Sequence, residues 1–137
     1  MTVIADTGVL VALIDPDTKE HAWACKVARR LSRPFLTSEP VLTEVAFLLA
    51  RDGLDADELF ALADSGAISV GLDFNSERRH LRSLMDRYRN VPMSLADATL
   101  VRLSELHGEC AVFTLDSDFH IYRRHGKRAI PLLMPQD

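Results

Sequence analysis

Short apolar runs that end on an acidic residue, separated by stretches of helical periodicity, restrict this chain to an open α/β fold. Val3-Ile4-Ala5 runs into Asp6, and Ala111-Val112-Phe113-Thr114-Leu115 runs into Asp116. Runs this short and continuous read as strands buried on both faces, and strands that alternate with helices assemble into a parallel sheet covered on both sides. In such sheets, sites form outside the carboxyl ends of the strands, where the strand order reverses. If the first and fourth strands are neighbours, Asp6 and Asp116 meet there.

Caps and breakers divide the rest of the chain. Gly8 onward, through Val9-Leu10-Val11-Ala12-Leu13-Ile14, reads as a helical or irregular continuation of the first strand, broken at Asp15-Pro16-Asp17. Residues 21–31 carry Ala22, Cys25, Ala28 and Leu31 at helical spacing, and Pro34 leads into a strand over 35–37. Ser38 reads as the N-cap of a helix with Pro40 in its first turn, a buried stripe of Val41, Val45, Leu48 and Leu49, and a stop at Gly53. A helix over 55–64 closes at Gly66, a strand covers 67–72, and Asn75 or Ser76 caps a helix reaching Tyr88. Ser94-Leu95-Ala96-Asp97 opens a helix with Leu95, Ala98, Val101 and Leu106 facing inward. A short helix over 118–124 and an edge strand over 129–133, marked by Pro131, complete the chain. The expectation is one α/β domain over 1–137, a three-layer sandwich with helices on both faces of a mostly parallel sheet.

No apolar run approaches the ~20 residues that a membrane span needs. No basic segment followed by an apolar stretch opens the chain, and Cys25 and Cys110 form no CxxC pair, so a reduced, cytoplasmic protein is expected. The net charge of -4 does not itself favour nucleic acid, but the arginines cluster. One group is Arg29, Arg30 and Arg33; another is Arg78, Arg79, Arg82, Arg87 and Arg89; a third is Arg123, Arg124, Lys127 and Arg128. An acidic centre with basic stripes suits an enzyme that binds a cation inside and phosphates at its rim; solvated helix faces are the ordinary alternative.

Asp6, Glu44, Asp97 and Asp116 carry the chemistry. A carboxylate taken out of water must be paired, protonated or bound to a metal, and few lysines or arginines lie near these four in sequence. Hard cations such as Mg²⁺ prefer carboxylate and water oxygens. No Ser-His-Asp or Cys-His pairing and no Gly-rich phosphate loop competes with that reading. Each acid also has a structural role open to it: Asp6 and Asp116 as caps, Glu44 on a solvated helix face, and Asp97 in a capping box with Ser94.

The chain resembles the PIN domain family, and within it the VapC-type toxins of toxin–antitoxin pairs. The resemblance rests on Ala5-Asp6-Thr7-Gly8-Val9-Leu10-Val11, on Glu44 after Ser38-Glu39-Pro40-Val41-Leu42-Thr43, on Leu95-Ala96-Asp97-Ala98, and on Thr114-Leu115-Asp116-Ser117-Asp118-Phe119. It implies a five-stranded parallel sheet and an endoribonuclease that depends on Mg²⁺ or Mn²⁺. Asp6, Asp97 and Asp116 would be metal ligands. Glu44 would complete the quartet, through water or as a base. Thr7 and Thr114 would sit beside the carboxylates to bind a metal water or phosphate, with Asp118 as an outer ligand. It further implies an RNA substrate, a homodimer and a small antitoxin protein.

Three other readings fit parts of the pattern. Asp6-Thr7-Gly8 matches the Asp-Thr-Gly of retropepsin-like proteases, whose folds are nearly all β. A phosphoaspartyl α/β domain shares acids at strand ends, but should carry a lysine soon after a late strand, and the next after Val112 is Lys127. A PIN-like RNA-binding or assembly module would have the quartet without the activity.

Overall fold

Burial on both faces explains the central strand. In the computed structural model, which describes residues 1–136, Val3, Ile4 and Ala5 of β1 (Thr2–Ala5) are all buried. Asp6 then turns the chain straight into α1 (Thr7–Ile14), accepting the Thr7 N–H on Oδ1 at 2.7 Å. The segment after Gly8 is thus a helix, not an irregular continuation. From Val9 to Ile14 it is apolar throughout, and two other helices pack against it.

α2 (His21–Ala28) and β2 (Phe35–Thr37) follow, then α3 (Glu39–Arg51), α4 (Asp57–Asp64) and β3 (Ile68–Val70). α5 (Phe74–Arg87) and α6 (Leu95–Leu106) lead back to β4 (Cys110–Phe113). After a 3-10 turn (Ser117–His120), β5 (Arg123–Arg124) and β6 (Arg128–Ala129) form an antiparallel hairpin, and β7 (Leu132–Leu133) ends the chain's regular structure. The main sheet has the order β3-β2-β1-β4-β7 with every neighbouring pair parallel. With right-handed crossovers this order places α1 to α4 on one face and α5 and α6 on the other. α1 accordingly packs on α2 and α3, and α5 on α6. The order reverses at β1, so the crevice outside β1 and β4 is the topological switch point. Phe113 anchors the core, with Trp23 at 5.4 Å and Phe35 edge-on at 5.9 Å.

Several sequence expectations are corrected. α5 is capped by Asp73, not Asn75 or Ser76: the Asp73 carboxylate accepts both the N–H and the hydroxyl of Ser76. Leu95 and Leu106 face outward, 36% and 43% exposed, because α6 turns its small residues and Leu100, Val101 and Leu103 to the core. The helix expected over 118–124 shrinks to the 3-10 turn, and the strand expected over 129–133 splits between the hairpin and the sheet edge. Pro131 lies at that break, where its carbonyl accepts the Val112 N–H at 2.8 Å and its missing donor costs nothing. Cys25 and Cys110 are both free thiols. Among the described residues, no helix is long and apolar enough to cross a membrane.

Arg124 does not belong with the surface arginines. It is 7% exposed, and its guanidinium donates to the carbonyls of Ser104, His107 (2.8 Å) and Gly108 (3.2 Å), tying β5 to the end of α6. Helix C-termini leave carbonyls unpaired and favour a cation. Arg124→Met keeps the apolar stem but strands those carbonyls, and should cost about 3 kcal/mol. Urea unfolding measures this; a midpoint equal to the native protein's would mean that water replaces the guanidinium without cost.

Candidate active site

The register of β1 against β4 pairs Ala5 with Phe113, so Asp6 and Thr114 come level at the end of the two central strands. Asp116 follows two residues later and caps the 3-10 turn through Oδ1, which accepts the Asp118 N–H at 2.9 Å. Glu44 projects from the second turn of α3. Asp97 is the third residue of α6, where it closes a capping box with Ser94. Four elements thus deliver four carboxylates to one recess of about 540 Å³, bordered also by Thr7, Gly8 and Ser94. Among the described residues, no lysine, arginine or histidine lines it. Asp6 is the most enclosed, 6% exposed; Asp97 and Asp116 are half-buried, and Glu44 stands at the open side.

Each acid is held by a donor. The Thr114 hydroxyl donates to Asp6 Oδ2 at 2.7 Å while accepting the Asp116 N–H at 2.9 Å, so one hydroxyl links two of the four. The Thr7 hydroxyl donates to Glu44 Oε1 at 2.7 Å. The Tyr122 hydroxyl donates to Asp97 Oδ2 at 2.8 Å. Thr7 and Thr114, expected beside the carboxylates as binders of water or phosphate, therefore spend their protons on the carboxylates themselves. Asp118 does not line the recess; it contributes its backbone N–H.

Burial and mutual repulsion shape the electrostatics. Loss of solvent pushes the Asp6 carboxyl up to about 6, against the hydrogen bonds from Thr114 and Thr7 and with the help of the Asp97 and Asp116 charges. Asp97 is raised for the same leading reason, with Asp116 and Glu44 adding to it. Burial, then the hydrogen bond to Asp97, drives the Tyr122 phenol far above its ordinary range, which keeps it a proton donor at neutral pH.

A divalent cation fits this donor set by chemistry. Four acids with no cationic side chain among them form a strongly negative recess, and oxygen-only donors suit Mg²⁺ or Mn²⁺. Among the described residues, no three His, Cys, Asp or Glu side chains stand close enough to hold a metal ion directly. Binding would therefore use bridging waters, which Mg²⁺ retains readily, or draw the carboxylates inward.

The structure brings Asp6, Glu44, Asp97 and Asp116 together, with Thr7 and Thr114 between them. Sequence reasoning missed Tyr122, which no local pattern marks. It also left Ser38 as a simple cap, whereas the Ser38 hydroxyl meets that of Thr99 at 2.6 Å and pins α3 to α6 beside the recess. His21 and Cys25 form no site: His21 Nδ1 lies 2.6 Å from the Ala12 carbonyl, tying α2 to α1.

A model of the PIN domain family matches residues 3–124, a span that contains every residue of the recess. PIN domains are commonly nucleases that use a divalent metal. No curated protein matches the chain.

Proposed function

The chain belongs to the PIN domain family, and from that premise we propose that it is a Mg²⁺- or Mn²⁺-dependent endoribonuclease, the toxin of a VapBC-type pair. The observation that carries the nuclease reading is the convergence of four carboxylates from four elements on one recess that contains no cationic side chain. Asp6, Asp97 and Asp116 would hold the metal, with Thr114 keeping Asp6 and Asp116 in fixed relation. When bound, a divalent metal lowers the pKa of a water and stabilises charge on a phosphate and its leaving oxygen. Glu44 is the most open of the acids and keeps one oxygen on Thr7. Its other oxygen would take the proton of a water attacking phosphorus, or reach the metal through a water.

The toxin reading draws on the surface. Phe47 and Phe60 are 67% and 68% exposed, and an apolar groove between α3 and α4 is lined by Leu42, Ala46, Leu59, Phe60 and Ile68. Such a groove suits the apolar face of a partner helix. Trp23 lies apart from this groove, its ring packed on Phe113. A small antitoxin seated there could insert an arginine into the negative recess and exclude the metal. A homodimer and a cytoplasmic setting, in keeping with two free thiols, complete this reading.

A labelled RNA panel incubated with the purified chain tests the activity. Cleavage should appear with Mg²⁺ or Mn²⁺, vanish with EDTA and return on adding metal in excess. Cleavage that persists undiminished in EDTA would end the metal-dependent reading. Binding of RNA without cleavage under any metal would favour the non-catalytic module. A phosphoaspartyl site is disfavoured because no lysine among the described residues lines the recess, and the parallel sheet removes the retropepsin reading.

A further inference from the structure

We propose that Tyr122 is the positioning residue of the acidic recess: its hydroxyl locks the Asp97 carboxylate so that the second oxygen is presented to a divalent cation. This rests on the metal-dependent reading above. Asp97 Oδ2 receives two donors, the Tyr122 hydroxyl at 2.8 Å and the Ser94 N–H at 3.4 Å. The second is long for an N–H···O bond, so the phenol provides the short, charge-assisted one. With Oδ2 committed, the plane of the carboxylate is set. No hydrogen bond from the described residues reaches Oδ1.

The phenol is itself immobilised. Tyr122 is fully buried at 0% exposure. Tyr88 packs against its ring with centroids 5.1 Å apart and planes at 68°, and Phe119 does so at 5.2 Å and 88°. The other three acids draw their donors from nearby parts of the two strand-end motifs: Thr7, Thr114 and the Asp118 N–H. Asp97 alone depends on a side chain beyond the 3-10 turn. One segment therefore supplies an acid at Asp116 and, six positions on, the group that orients another. Outer partners that orient metal ligands typically account for 10- to 100-fold in metal affinity.

Tyr122→Phe removes one oxygen and leaves the aromatic packing intact. Titration with Mn²⁺, following the free ion by electron paramagnetic resonance, should show Kd raised roughly 10- to 100-fold. Tyr88→Phe is the control, because the Tyr88 hydroxyl accepts the Arg123 N–H rather than serving a recess carboxylate; it should leave Kd unchanged. If Tyr122 acts through Asp97, adding Tyr122→Phe to Asp97→Asn should weaken Mn²⁺ binding by less than about twofold further, since coupled sites are not additive. Saturating Mn²⁺ should also restore much of the cleavage by Tyr122→Phe. Tyr122→Met, which also lacks the hydroxyl, replaces it if phenylalanine disturbs the fold. An unchanged Kd in the hydroxyl-less variant, or an equal loss in Tyr88→Phe, overturns the assignment to Tyr122 and leaves the nuclease reading standing. Failure of the native chain to bind Mn²⁺ at all overturns both.

Discussion

Asp6→Asn should yield a folded protein that leaves RNA intact. The substitution is isosteric, and the amide oxygen can still accept the Thr7 N–H that starts α1. The Thr114 hydroxyl can turn to meet the amide, so the link between β1 and β4 survives. What disappears is the negative charge at the most enclosed point of the recess. A group whose charge acts mainly on the transition state typically takes on the order of 10³ in rate with it when removed. Asp97→Asn should behave alike, since its amide oxygen can still accept from Tyr122. Circular dichroism establishes the fold, and cleavage is assayed across Mn²⁺ concentrations that would compensate for weakened binding alone. Either variant cutting RNA at the native rate would remove that carboxylate from the active site.

Asp6 and Asp116 were legible because a strand buried on both faces has nowhere to put a carboxylate except at its end, and the strand order makes those ends adjacent. Asp97 was ambiguous for a physical reason: a third-position acid after Ser94 is what a capping box requires, and the structure has it serving the cap with Oδ2 while it borders the recess. Glu44 carries no local mark, and the packing of α3 on α1 and α6 is what aims it at the recess. The end of the chain was misread because its strands are two residues each, too short for any period to register. Within the Arg123–Arg128 run, Arg124 looks like its neighbours in sequence and is buried only because α6 ends beside it. Tyr122 was invisible for the opposite reason. A single aromatic in a polar stretch reads as surface or core until its hydroxyl is seen to end on Asp97.

The same Asp6 carboxylate should make the metal-free protein lose stability as pH rises towards neutrality. In the fold it keeps its proton up to about pH 6, whereas an unperturbed aspartate releases it near 3.8. Between those values the native state binds more protons than the unfolded chain, so stability falls with increasing pH across that window. At roughly 1.4 kcal/mol for each tenfold change in proton affinity, the cost is complete above about pH 6 and reaches on the order of 3 kcal/mol. Asp97, raised in the same direction, adds to the trend. Asp73, lowered by its bonds to Ser76, opposes it, but only at acid pH and from an exposed position. Asp6→Asn removes the titrating group, so in EDTA it should flatten this part of the profile and raise Tm at pH 7 by roughly 10 °C. Adding Mn²⁺ should reverse the ranking, because a ligand that binds only the folded state stabilises in proportion to RT ln(1 + [L]/Kd). Native protein should then gain at neutral pH while Asp6→Asn gains little. Thermal unfolding from pH 4 to 8, with and without Mn²⁺, reads all four arms. Native and Asp6→Asn profiles that coincide in EDTA would mean that Asp6 is not the strained carboxylate, and that the energy stored for the cation lies elsewhere in the recess.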